Sequence, residues 1–246
     1  MLHLLPAAQR APLPAAASQP GRGLVLGARP TRKALDRRQR LREAGAALFA
    51  TQGIGNTPIH QIAQAAGVSF RTARDDYPSR AALLQDILHA HLDALTEAVG
   101  AADERHANAE PAARLSGVIL ALFATLRANR HAHALLAPGL PSLPGPARED
   151  IAHAGRLVTF RLYTIIEAAV PRLAATRELR APITRLLLAA LGDATHWFRD
   201  DGALAREDYA ALLARLLIDG AKSGIALHRG PIPPLPQGYG DWMGAE

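Results

Sequence analysis

Outside three interruptions, the apolar side chains of this chain recur at spacings of three and four. Leu41, Ala44, Gly45, Leu48 and Phe49 form one such set. Ile183, Leu186, Leu187, Ala190, Leu191, Ala194 and Trp197 form a second, and Tyr209, Leu212, Leu213, Leu216 and Leu217 a third. A period near 3.6 gathers each set into one stripe along an α-helix, and a stripe of that width needs a partner to bury it. No segment alternates apolar and polar residues between hairpin turns, so no strand is expected. The pattern predicts an all-α protein of about nine helices. Pro and Gly interrupt it at residues 1–30, at the run from Pro138 to Pro146, and in the tail after His228. Pro138, Pro141 and Pro144 lie three apart, which predicts an extended polyproline segment there.

With 246 residues, 49% hydrophobic and 20% charged, the chain has a globular composition and length for one large core or two unequal domains. The absence of cysteine excludes disulfide scaffolds, thiolate metal sites and cysteine nucleophiles. The net charge of +6 is unevenly spread. Residues 1–42 hold nine basic groups against Asp36 alone, so the rest of the chain is slightly acidic. A cation cluster confined to one end suggests a polyanion there, although a solvated leader would show the same charge. Residues 1–30, rich in Ala, Pro, Gly and Arg, have no periodicity and are expected to be a disordered arm. No window offers the roughly 18 uncharged apolar residues of a membrane span. Met1 to Leu5 has no basic residue ahead of it and is broken by Pro6, a poor signal peptide. A cytoplasmic protein without a membrane partner is expected. No Gly-x-Ser-x-Gly nucleophile motif, phosphate loop or dinucleotide fingerprint occurs, so neither an enzyme nor a cofactor is expected.

The densest local signal lies between Thr57 and Tyr77. Gly53 and Gly55 stop the first helix, and Thr57-Pro58 supplies a side-chain cap and a residue preset for a first helical turn. A short helix from Pro58 to Ala66 is expected, ended by Gly67. Val68 then plugs the angle and Ser69 caps a third helix from Phe70 to about Asp76, which Pro78 keeps short. Short helix, glycine turn and short helix make a helix-turn-helix, which sets its second helix into a major groove.

The run Thr57-Pro-Ile-His-Gln-Ile-Ala-Gln-Ala-Ala-Gly-Val-Ser69, with Thr72, Tyr77-Pro-Ser-Arg80 and Leu83, resembles the DNA-binding domain of the tetracycline-repressor (TetR) family. The likeness extends from Arg37 to Leu88; the rest matches only in layout, with an Asp201-Gly202 break before the last helix. It implies a helix-turn-helix DNA-binding domain at 31–82, a helical effector-binding and dimerisation domain at 83–228, and a Pro/Gly-rich tail at 229–246. It also implies a homodimer, pairing through the last two helices, that binds a pseudo-palindromic double-stranded DNA operator and is controlled by a small-molecule effector. By position, Thr57 and Thr72 would bond phosphates, Arg71 and Arg74 would face the groove, and Arg80 would meet a phosphate at the start of the fourth helix. Ser69 and Tyr77 belong to the same DNA-facing set, and Arg37, Arg38 and Arg42 add unspecific phosphate attraction, each neutralised phosphate adding about −0.9 to the salt slope. The arm could reach a minor groove or have no role. The last two helices would offer Leu187, Leu191, Trp197, Leu213 and Leu217 to the dimer, and the middle ones would line a pocket with Phe123, Leu126, His131, His133, Phe160, Tyr163 and Glu167, unless the apolar members are simply core.

Two departures and one coincidence bear on this. Asp75 and Asp76 end the recognition helix, where phosphate would repel them; they either accept from cytosine N4 or pair with Arg71, Arg74 or Arg80. They motivate an alternative, a chain of this fold that binds ligand or metal and has lost operator recognition. Asp86, Asp103, Asp150 and Asp193 each stand three residues before a histidine (His89, His106, His153 and His196). On a helix this spacing can hold metal, as in ferritin-like bundles, but surface pairing gives the same pattern, and no metal site is assigned.

Overall fold

The computed structural model describes residues 31–171 and 180–222; the expected arm and tail lie outside them. Among the described residues there are ten α-helices and no strand: α1 (Arg32–Gln52), α2 (Ile59–Ala65), α3 (Phe70–Asp76), α4 (Arg80–Arg105), α5 (Pro111–Ala128), α6 (Arg130–Ala134), α7 (Leu136–Gly139), α8 (Gly145–Ala169), α9 (Arg180–Trp197) and α10 (Arg206–Lys222). A single 3-10 turn, Leu140–Ser142, joins α7 to α8. The expected polyproline segment is therefore mostly helical turns. Pro141 and Pro146 sit in the first positions of their helices, where a missing N–H costs nothing, and only Leu143 and Pro144 are extended. Buried Leu143 anchors that extended pair.

α1 to α3 and the first turns of α4 form a head. Thr31 caps α1 by accepting from the Ala34 N–H, and α1 closes at Gly53, whose φ of 84° is open to glycine. Gly67, at φ 64°, makes the turn between α2 and α3. α1 and α4 approach closely at Gly45, where a Cβ would stand 2.9 Å from a Leu83 methyl. α4 crosses the expected boundary at residue 82 unbroken, so head and body share one 26-residue helix.

The body is built around α5, against which α4, α8, α9 and α10 pack. α5 is long and apolar enough to cross a membrane by length and composition alone, with a mean hydropathy of 1.3. It carries Arg114 and Arg127, and its Leu115, Val118, Ile119, Leu122, Phe123 and Leu126 are the centre of the core. At one end Phe123 meets Phe198 and Tyr209 edge-on or tilted at 5.1 and 5.4 Å, and half-exposed Trp197 meets Tyr209 edge-on at 5.7 Å. Arg127 ties the same corner by donating to the Phe198 carbonyl at 2.8 Å and to Asp200 at 3.0 Å.

Candidate nucleic-acid interface and ligand cavity

The helix-turn-helix is fixed from inside. Ile62 and Ala63 of α2 and Ala73 of α3 are buried, as is Tyr77 directly after α3. Ser69 caps α3, accepting from the Thr72 N–H at 3.2 Å while its hydroxyl shares a 2.7 Å bond with that of Thr72. Seven residues with Ala73 inward leave Arg71, Arg74 and Asp75 exposed on α3. Phe70 is 49% exposed, with the Arg74 guanidinium 5.9 Å above its ring and His60 of α2 edge-on at 6.4 Å. Phe70 and His60 were not legible as surface residues. Phe70 lies three before Ala73 on the inward spacing, but at the first turn, where a side chain projects past the end of the core.

Several residues expected at phosphates are occupied within the head. Thr57 is fully buried and donates to the Gly53 carbonyl at 2.8 Å, so its side chain locks α1 to α2 and cannot reach a phosphate here. Arg37 holds Asp76 through two bonds of 2.6 and 2.8 Å, and Arg38 adds a contact at 3.5 Å. Asp76 does pair with arginine, but with α1 and not with Arg71, Arg74 or Arg80, a partner 39 residues away that no local spacing discloses. The bonds from Arg37 hold the Asp76 carboxyl below its ordinary range, against the opposing effect of burial. Tyr77 is buried and donates to Asp86, which Arg42 also reaches at 3.2 Å. Burial first, then the hydrogen bond to Asp86, pushes the Tyr77 phenol up. Arg80 donates to the carbonyls of Ile54 and Gly55 in the α1–α2 turn. The exposed set that remains is Arg38, Ser69, Arg71 and Arg74, with Thr72 half-buried beside them.

A second candidate site lies in the body. A cavity of about 580 Å³ opens between α4, α5, α6, α8 and α9, and its wall is mainly aliphatic and aromatic. Of the expected pocket residues, Leu126, His133, Phe160 and Tyr163 line it. Phe123 does not, being fully buried in the aromatic corner, and Glu167 is not on the wall. His131 lines a separate cleft of about 330 Å³ where α1 meets α4 and α6. Arg156, Thr184 and Arg185 belong to the cavity and were not anticipated.

His91, also not anticipated, is 2% exposed on α4, and its Nε2 lies 3.3 Å from His133 Nδ1. It interrupts the apolar stripe of Leu84, Leu88, Leu92 and Leu95, and a polar residue at such spacing was the available signal. Burial, and then the neighbouring His133, lowers the His91 pKa to about 4; burial and then His196 lower that of His133. Both imidazoles are neutral at pH 7.

Three of the four Asp-x-x-His spacings are taken apart by other partners. Asp103 binds Arg114 at 2.6 Å while His106 bonds the Ala102 carbonyl, Asp193 accepts from the Trp197 indole at 2.9 Å, and Asp86 serves Arg42 and Tyr77. Among the described residues no three His, Asp or Glu side chains are placed to hold a metal ion.

The expected dimer residues divide. Leu187 and Leu191 are buried within their own chain and cannot meet a partner, and Leu213 and Leu217 pack partly on the core. Trp197 is 52% exposed. The outward apolar residues of these helices are Leu186, Leu212 and Leu216 with it, the outer edge of the same three-and-four stripes whose inner members face the chain's own core.

A helix-turn-helix head continuous with a helical, cavity-bearing body defines the class of one-chain DNA-binding regulators. The model described as bacterial regulatory proteins, tetR family, matches residues 41–87, and that of the tetracyclin repressor-like C-terminal domain matches residues 108–221. Together these matches take in most of the chain, and the protein belongs to the TetR family of transcriptional regulators. Among solved structures it is similar to a TetR-family transcriptional regulator from Bordetella parapertussis 12822, at 25% identity over 77% of this chain and 97% of that one, with a TM-score of 0.65. It is similar to the TetR-family regulator PfmR from Thermus thermophilus, at 25% identity over 73% and 97% of the two chains, with a TM-score of 0.60. AibR, solved in complex with isovaleryl coenzyme A and operator DNA, shares the fold at 19% identity over 74% and 98%, with a TM-score of 0.59. No curated protein matches the chain.

Proposed function

We propose that this regulator is a repressor that binds a pseudo-palindromic operator as a homodimer and leaves it when a small molecule fills the body cavity. The observation that carries this reading is the outer face of α3. Arg71 and Arg74 stand there exposed beside Phe70, while Arg37, Arg42 and Arg80 are engaged within the head. Arginine reads guanine O6 and N7 bidentately, and an aromatic ring suits a thymine methyl. Leu186, Trp197, Leu212 and Leu216 are the apolar surface that a second copy would cover, placing two α3 helices in successive major grooves about 34–36 Å apart. A cavity ligand releases DNA if it binds the splayed dimer better than the bound one, and α4, which lines the cavity through Leu92 and Leu95, is the helix that begins in the head. AibR, captured with both a ligand and operator DNA, supports this pairing of sites on the fold. Such a protein works in the cytoplasm, on the chromosome.

Asp76, half the motive for a chain without operator recognition, is neutralised on the inner side of α3 and does not face the groove. The test is protection of the promoter DNA flanking the protein's own gene, with random duplex as competitor. A two-fold-symmetric footprint that survives the competitor is expected, and Arg71→Ala or Arg74→Ala should lose about 1–3 kcal/mol of specific binding while keeping the non-specific part. Binding that is wholly non-specific would sink the repressor reading.

A further inference from the structure

The body cavity is charged with one sign only. Arg156 of α8, Arg185 of α9 and His133 of α6 stand on its wall, and no aspartate or glutamate does. Neither arginine has an ion-pair partner among the described residues. Both arginines are exposed, and a guanidinium does not deprotonate in a protein, so the positive charge on this wall persists at every ordinary pH. His133 adds a hydrogen-bond donor. Its Nδ1 shares one proton with His91 Nε2, and His91 Nδ1 is buried without a partner. A stranded buried N–H is rarer than a bare lone pair, so the shared proton sits on His91 Nε2. His133 then accepts at Nδ1 and carries its own proton on Nε2, as a donor. His196 on α9 is the base that acts on His133, while Arg185 on α9 and Arg156 on α8 stand on the same cavity wall. The rest of the wall is mainly hydrocarbon, including Leu92, Leu95, Ile151 and Leu188, with Thr159, Tyr163 and Thr184 as its hydroxyl-bearing members.

We infer that the ligand of this cavity is an apolar molecule carrying a single acid group: a hydrocarbon body against the leucine and isoleucine wall, and a carboxylate held by the basic set. This rests on the reading of the cavity as the effector site, and refines it to a class of ligand. A cavity of about 580 Å³ lies within the usual range for small-molecule sites, and the absence of any acidic wall residue disfavours amines and other cations.

The experiment is titration calorimetry of the full-length protein with decanoate, decanol and decylamine, and with the same three head groups on a naphthalene ring. The acid of at least one series should bind tenfold or more tighter than its alcohol, and the amine weakest. The double variant Arg156→Ala, Arg185→Ala and the single variant His133→Leu should narrow the acid-to-alcohol ratio, in at least one case to near unity, with alcohol affinity kept. Retained alcohol binding shows that the variants are folded. If alcohols or amines bind as tightly as acids, or if the ratio is unchanged in both variants, the acid preference is overturned while the cavity remains a ligand site. If none of the six probes binds, the effector reading falls and the inference with it.

Discussion

In the head, the side-chain bonds that tie helix to helix are mainly ionic: Asp76 is clamped by Arg37, and Asp86 is shared by Arg42 and Tyr77. In the body, the buried polar pair is neutral, two imidazoles 5.4 Å apart among leucines. The difference follows from helix length. α2 and α3 have seven residues each and offer few inward positions, so charge pairs across α1, α3 and α4 supplement a small core. Helices of 17 to 26 residues around α5 bury enough hydrocarbon to hold themselves, and the polar groups among them are not needed for cohesion.

That contrast is open to attack at four points. The heaviest blow is Phe123→Ala. Emptying the aromatic corner should cost about 3–5 kcal/mol, read from denaturant unfolding. A loss under about 1 kcal/mol would mean that the body is not held together at α5. Next is acid. With His91 at about 4 in the fold against an ordinary 6.5, the folded body binds fewer protons than the unfolded chain. Its contribution is complete above pH 6.5 and declines as pH falls toward 4, by about 3 kcal/mol in all. The head should be nearly unaffected over that window, because Asp76 is held below the ordinary carboxylate range and its contribution is lost only as pH falls from that range toward its lower folded value. Hydrogen exchange resolved by helix should therefore show the body loosening before the head, and His91→Leu should flatten the profile between pH 6.5 and 4. A profile unchanged by that substitution would contradict the neutral buried pair.

Third comes Asp76→Asn, which keeps shape and removes charge. The head should lose about 1.5–3 kcal/mol, and the salt slope for DNA should steepen as Arg37 is set free. If stability is unchanged, the clamp is not what fixes α3. Smallest is Tyr77→Phe, about 0.5–1.5 kcal/mol, read as a lowered unfolding midpoint of the head. An effect larger than that of Asp76→Asn would reverse the order of the two ionic supports.

The head was more legible in the sequence than the body because its instructions are local. Ser69 three residues before Thr72, a glycine at the turn and Ala73 at the inward position determine one short geometry within a dozen residues. What was missed there is non-local: Asp76 finds Arg37 across the fold, and Thr57 is swallowed by the turn it closes. In the body, spacing identified the helices but not their orientation. Leu187 and Leu191, expected at a dimer, face inward, while Leu186 and Leu216 of the same three-and-four sets face out. Of the seven residues expected at a pocket, Leu126, His133, Phe160 and Tyr163 share one cavity wall. Phe123 does not, because which aromatic residue fills a core and which lines a void depends on packing between four helices.

The placement of the aromatic corner sets what optical methods can see. The chain has two tryptophans, Trp242 beyond the described residues and Trp197 at the seam of α9 with Tyr209. The head has none. Emission from Trp197 is thus a channel tuned to the aromatic corner of the body. It is well suited to following subunit exchange or ligand entry, and it is blind to a head that has melted on its own. A titration followed by that signal alone would report a protein intact while its DNA-reading end had already been lost.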